Sequence, residues 1–151
     1  MYWKFYRFHE LDPKTLYEII KLRFNVFILE QSCFYHELDD KDYYATHMCG
    51  YDGEKRLVAY LRILDPGISF DEVSIGRVVV APEVRGDGIG RKLMQKALEY
   101  AKEAYDSPVI RISAQAYLQD FYESMGFVPA SELFLEDEIP HIEMLFEKFD
   151  V

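Results

Sequence analysis

Cysteine is scarce in this 151-residue chain, with only Cys33 and Cys49. Two thiols build no disulfide framework, which excludes a small stapled scaffold and fits reduced, buried thiols. No Cys–His spacing of a metal site occurs, so none is expected. Long apolar runs are also missing. None approaches the ~20 residues that span a bilayer, and "MYWKFYRFHELD" lacks the continuous apolar stretch of a secretion signal. The expectation is a cytoplasmic protein with no membrane partner. Positive charge is in short supply: 17 Lys and Arg stand against 27 Asp and Glu, a net charge of −10. That argues against a general nucleic-acid binder and is compatible with a cationic small partner. Repeats, low-complexity tracts and linkers are absent, so residues 1–151 read as one domain, long enough for a proper core.

Half of the residues are hydrophobic, and their spacing sets out the elements. "YWKFYRF" alternates as a strand does. Asp12 then caps a helix with Pro13 at its first position. Leu16, Ile19, Ile20, Leu22, Phe24, Val26 and Phe27 give that helix a broad apolar face. Ser32 to Thr46 has no period and reads as a long loop. Its acidic stretch "ELDDKD" lacks the EF-hand pattern and reads as solvated. "HMCGY" and "RLVAYLRIL" form a hairpin through "DGEK", and "VSIGRVVV" is a further strand. From Ile89 to Ala104 a helix buries Ile89, Leu93, Met94, Ala97, Leu98 and Ala101. "PVIRISA" is a strand, Tyr117 to Met125 a short helix stopped by Gly126, and "HIEMLFEKF" the last strand. Strands leading helices in this order predict a mixed α/β sheet with helices on both faces.

The turn before the second long helix carries the strongest signal. In "VVVAPEVRGDGIGRKLM", Gly86, Gly88 and Gly90 follow a strand and open a helix. Such a turn aims several backbone N–H groups at one point, where the helix dipole favours an anion. Arg85, Arg91 and Lys92 stand beside it, two of them against the dipole, as ion partners of a phosphate would. A glycine-rich turn with solvated cations is the plainer alternative. The string is not a P-loop, and the dinucleotide pattern G-x-G-x-x-G fails because its third position is Arg91.

Arg-x-x-Gly-x-Gly from Arg85 to Gly90, with "FYESMGF" about thirty residues on, resembles the GCN5-related N-acetyltransferase (GNAT) superfamily. "LRFNVFILEQSCFYHELDDKD", "LVAYLRIL", "IGRVVV", "AQAYLQDFYESMGF" and "DEIPHIEM" resemble, in the same order, the bacterial ElaA family. The resemblance covers nearly the whole chain. It implies a mostly antiparallel mixed sheet with a splayed pair of strands that binds acetyl-CoA, used as co-substrate. Backbone N–H groups along Arg85, Gly86, Asp87, Gly88, Ile89, Gly90 and Arg91 would hold the diphosphate. Val78, Val79 and Val80 would pair with the pantetheine arm, and the Gln115 amide stands where the family often has Asn.

The implied chemistry is acetyl transfer to a small-molecule or peptide amine. A backbone N–H near Val79 is the candidate that polarises the carbonyl. Tyr122 is the candidate acid for the leaving thiolate, although its place beside Phe121 also suits an ordinary core aromatic. A phenol with an unperturbed pKa of about 10 is neutral at pH 7 and matches a thiolate's basicity. For the base, His141, Glu30 and His47 are candidates in that order, and a water chain is another. Each has a structural alternative as a satisfied histidine or a paired carboxylate. Arg62 and Arg77 interrupt apolar strands; they either line the acceptor cleft, or sit on the solvent-facing side of their strands or in ion pairs. Cys33 has no activating neighbour that would make it a nucleophile. The alternative to an enzyme is a regulatory module that binds acyl-CoA without turnover. Monomer and homodimer are both open.

Overall fold

A computed structural model describes residues 1–147 and 149. Strand β1 (Tyr2–Arg7) is followed by α1 (Pro13–Phe24), β2 (Thr46–Tyr51), β3 (Leu57–Leu64) and β4 (Val73–Val80). Then come α2 (Ile89–Ala104), β5 (Ile110–Gln115), α3 (Gln119–Ser124), β6 (Val128–Pro129), β7 (Phe134–Glu136) and β8 (Ile139–Phe146). The sheet order is β1-β2-β3-β4-β5-β8-β6, with β7 also on β8. Only β4 and β5 run parallel; every other pairing is antiparallel. The last strand begins two residues before the expected "HIEMLFEKF" and ends at Phe146; Lys148 of that stretch lies outside the described residues.

Local chemistry accounts for most boundaries. The Asp12 carboxylate accepts the Thr15 N–H at 2.7 Å and caps α1. In the β2–β3 hairpin the Asp52 carboxylate accepts N–H groups of Glu54 and Arg56, each at 2.9 Å. On the β1–β2 pair Trp3 lies opposite Gly50. A Cβ at Gly50 would sit 2.4 Å from the indole ring, so only glycine lets Trp3 lie flat there. β6 and β7 were not expected. The β7–β8 turn uses Asp137 and Glu138 at φ +51° and +66°, without the Asn-Gly signal that announces such a turn.

The sheet is covered on both sides. All six expected residues of α2 are buried, against Leu61, Ile63, Ile75, Ile112 and Met144. α3 joins the same layer through Tyr122. On the other face Ile19 of α1 and Val26 pack with Cys49, Tyr60 and Val79. One residue of α1 differs from expectation, and its neighbour takes its place. Phe24 points outward, 45% exposed, while Arg23 is 1% exposed. Arg23 takes the inner place because it meets carboxylates there, described below. α1 then widens into a π-helical turn over Asn25–Glu30, closed by Gln31 N–H to Val26 O at 3.1 Å. Among the described residues no helix is long and apolar enough to cross a membrane.

One irregularity in β4 matters for the site. Tyr60 pairs with Val79 but Arg62 pairs with Gly76. Arg77 and Val78 therefore oppose the single residue Leu61, a β-bulge. The extra residue resets the alternation of side chains. Val73 and Ile75 face the α2 layer before it; Val78 and Val80 face that layer after it, and Val79 faces α1.

Candidate active site

β4 and β5 are paired only at Val73–Ile110 and Ser74–Arg111. Beyond Ser74 the strands part, and a cleft of about 1040 Å³ opens between them. This is the splayed pair that the resemblance implied. Of the expected site residues, Glu30, Val78, Val79, Val80, Arg85, Gly86, Gly88, Ile89, Gly90, Arg91, Gln115, Tyr122 and His141 line this one cleft. Asp87 does not line it, and its side chain is exposed.

The glycine turn leads from β4 into α2. Gly86 and Gly88 adopt φ +93° and +74°, and nothing lies within 4 Å of where a Cβ would be at either. Gly88 caps α2. The N–H groups from Gly86 to Arg91 find no acceptor among the described residues; Lys92 N–H is the first to bond, to Gly88 O at 3.2 Å. Unpaired donors at a helix N-terminus suit a phosphate or diphosphate. Two of the three cations expected to help, Arg85 and Arg91, are tied to the protein instead. Arg85 donates to the Val80 carbonyl at 3.1 Å and grips both oxygens of Glu30. Arg91 donates to Ser124 Oγ at 2.8 Å and lies 5.6 Å over the Phe121 ring. The main chain, rather than these side chains, supplies the donors.

Tyr122 is 5% exposed, edge-on to Phe121 and Phe127. Burial pushes its phenol above the ordinary value, so the group stays protonated. Its hydroxyl has no hydrogen-bond partner among the described residues. His141 pairs with Gln115 across β8 and β5. Its Nδ1 is 2.7 Å from the Ile139 carbonyl, which only accepts, so Nδ1 carries the proton. Its Nε2 is 3.2 Å from the Glu136 carboxylate. Gln115 donates to the Gln31 side chain at 3.3 Å.

The other base candidates sit differently. Glu30 ends the π turn, and the hydrogen bonds from Arg85 hold its carboxyl below the ordinary value. That makes it a weak base. His47 is fully buried and does not line the cleft. It donates through Nε2 to the Asp42 carbonyl at 2.9 Å and accepts the Tyr60 hydroxyl at 2.6 Å. Burial holds its pKa below the usual value, so it is a neutral structural histidine. Cys49 is buried, but Cys33 is only half-buried and lines the cleft. Partial burial, then the charges of Asp137 and Glu138, push the Cys33 thiol up, away from a nucleophilic thiolate. Ser113 was missed. It shares a strand face with Gln115 two residues on, lines the cleft, and its buried hydroxyl has no partner. The two-residue spacing was the available signal.

The acidic stretch of the long loop is not solvated. Glu37 and Asp42 are 6% and 8% exposed. Arg23 donates to Glu37 Oε2 at 2.8 and 2.6 Å and to Asp42 at 2.8 Å. Arg62 donates to Asp39 at 2.8 and 2.6 Å and to Asp42 at 3.0 Å. Arg77 donates to Glu37 Oε2 at 2.8 Å. Three arginines thus meet three carboxylates, which is why Arg62 is accommodated in a buried strand. Arg77 combines two of the readings considered for it: it lines the cleft and is ion-paired. Burial pushes the Asp39 and Asp42 carboxyls up, but the guanidinium groups outweigh it and hold both below the ordinary value.

Residues 15–148 match the family described as an acetyltransferase (GNAT) domain. A UPF0039 protein of Schizosaccharomyces pombe is 45% identical over 141 residues, 93% of each chain. The likeness is therefore not confined to bacteria. An acyl-CoA N-acyltransferase structure from Pseudomonas aeruginosa superposes with TM-score 0.90 at 40% identity, covering 96% of this chain and 98% of the other. The Escherichia coli ElaA structure does so with TM-score 0.89 at 39% identity, covering 97% and 100%. The parted strands, the open glycine turn and these likenesses agree: the chain belongs to the GNAT acetyltransferase family and is ElaA-like.

Proposed function

We propose that this chain is an acetyl-CoA-dependent N-acetyltransferase that acts on a primary amine by direct attack in a ternary complex. Acyl-CoA-dependent acyl transfer is the chemistry its family supports. The acetyl group, the amine and the direct route are the finer reading. One observation carries it: the gap between β4 and β5 is bordered by Gly86, Gly88, Ile89, Gly90 and Arg91, whose N–H groups are unpartnered among the described residues, and Tyr122 lines the same gap. When bound, acetyl-CoA would supply an acetyl group activated as a thioester, with coenzyme A as the leaving thiol.

The residues divide the work. The N–H groups from Gly86 to Arg91 grip the diphosphate. The free edge of Val78, Val79 and Val80 holds the pantetheine arm as a neighbouring strand would, and an N–H near Val79 polarises the thioester carbonyl. Gln115 and the unpartnered Ser113 hydroxyl offer further polar contacts. His141 takes the amine proton on Nε2, since Nδ1 is committed to Ile139. The positive charge then gained is stabilised by Glu136. As the C–S bond breaks, Tyr122 gives its proton to the sulfur. The burial that raises the phenol also raises a thiolate formed beside it, which keeps the two matched.

Release of free thiol from acetyl-CoA with a panel of primary amines, small and peptidic, tests the proposal. Turnover with at least one amine is expected. Saturable CoA binding without turnover across the panel would instead favour the regulatory binding module. The unpartnered Tyr122 hydroxyl speaks for the enzyme, because binding alone requires no proton donor there.

A further inference from the structure

Arg77 is the one residue of β4 in the left-handed region, at φ +53°. Arginine rarely adopts this conformation, and glycine adopts it freely. Yet Gly76, immediately before it, has no such φ. The bulge therefore places its strained residue on the arginine, with glycine available next door. Backbone preference does not account for that choice, so the side chain must.

The Arg77 side chain reaches out of the strand to the loop between α1 and β2. Nε donates to Glu37 Oε2 at 2.8 Å, and Nη2 donates to the Glu37 carbonyl at 3.1 Å. Nη2 also lies 3.4 Å from Asp39 Oδ2, and the guanidinium covers the Tyr35 ring at 5.6 Å. Glu37 is itself immobilised. Arg23 holds the same oxygen from α1, and the Tyr35 hydroxyl donates to the other at 2.6 Å. Tyr35, Asp39 and Arg77 all line the cleft.

We infer that Glu37 and Arg77 form a latch that fixes the β4 bulge and so aims the Val78–Val79 edge at the thioester. Arg77 is a positioning residue in this arrangement, and Glu37 acts through it. The latch also joins the wall loop to the strand that holds the cofactor arm, so both sides of the cleft share one anchor. The bulge needs such a fastening. Moving the extra residue along the strand would turn Val78 and Val80 away from the α2 layer and rotate the N–H groups near the reaction centre. The inference rests on the proposed function, because it assigns the latch a task in polarising a thioester.

The test reads polarisation directly and needs no acceptor. Infrared difference spectra of acetyl-CoA, isotope-labelled at the acetyl carbonyl, report the thioester stretch on the protein. Calorimetry with CoA reports the diphosphate grip. Arg77→Gly keeps the backbone conformation but removes the latch. Glu37→Gln keeps the arginine and weakens its anchor, and Arg77→Lys restores charge without the fork. Wild type is expected to shift the stretch to lower frequency. Arg77→Gly and Glu37→Gln should lose most of that shift, and Arg77→Lys should recover part of it. CoA should still bind saturably to all three, because the diphosphate donors lie on the glycine turn, with a loss of affinity confined to what the pantetheine arm gives up on the displaced edge. A full shift retained in both Arg77→Gly and Glu37→Gln overturns the latch alone. Absence of CoA binding or of any shift in the wild type overturns the proposed function, and the latch with it.

Discussion

Replacing Arg23 by methionine keeps an unbranched stem in the core and removes a guanidinium that is 1% exposed. Three bonds to carboxylate oxygens and one to the Glu37 carbonyl vanish together. Glu37, Asp39 and Asp42 then face only Arg62 and Arg77, leaving one buried negative charge uncompensated. Removing one partner from a buried ion cluster costs about 3–5 kcal/mol. The two remaining arginines still touch all three carboxylates, so the lower end, about 3 kcal/mol, is expected. That is a large share of the roughly 5–15 kcal/mol that holds a domain folded. It corresponds to a fall in Tm of about 6–12 °C for a chain of this length. Urea unfolding at pH 7 and again near pH 4 measures the effect. In the wild type, Asp39 and Asp42 have folded pKa values below the unfolded one. Their contribution is therefore present above an unfolded value of about 3.9 and lost as pH falls through the folded values. In the variant, burial acts on the carboxylates without Arg23, so a proton binds at higher pH and relieves the excess charge. The gap between the two proteins should narrow as pH falls from 7 to 4. A loss under about 1 kcal/mol at pH 7, or a gap that stays constant with pH, would refute this account of the cluster.

Three further outcomes are expected. Tyr122→Phe should lower turnover roughly 10²-fold and leave CoA affinity nearly unchanged; an unaltered rate removes the phenol from the mechanism. Gly88→Trp should abolish CoA binding in calorimetry, because it fills the open space over the turn and strains a φ of +74°; normal binding would place the diphosphate elsewhere. Gly50→Ala should cost about 1–3 kcal/mol in urea unfolding by displacing the Trp3 ring. A double mutant with Trp3→Ala should show strong non-additivity, and simple additivity would contradict the contact.

The parts legible in the sequence were those governed by local periodicity. The α2 stripe spaces its apolar residues on one face, and every one is buried. Asp12 before Pro13 and the Asp-Gly turn act within a few residues, and both are where expected. The glycine turn and the helix stop at Gly126 were legible because both need a backbone conformation that favours glycine. Features that depend on distant partners were hidden. "ELDDKD" reads as solvated because nothing near it in sequence is cationic enough to bury it; its arginines come from α1, β3 and β4. For the same reason Phe24 looked like an inner residue of α1, where Arg23 takes the inner place instead. The bulge was invisible because the three valines of "GRVVV" carry no polar–apolar alternation that would show a reset, and only pairing with β3 reveals the extra residue. Among the candidate bases, Glu30 and His47 were separated from His141 by partners that the sequence places 55, 5 and 13 positions away.

Trp3 is the only tryptophan in the chain. It rests on Gly50, packs against the α2 layer, and does not line the cleft. The molecule therefore carries a built-in optical gauge at the far border of its sheet. Its emission follows the making and breaking of that border while ligands come and go elsewhere.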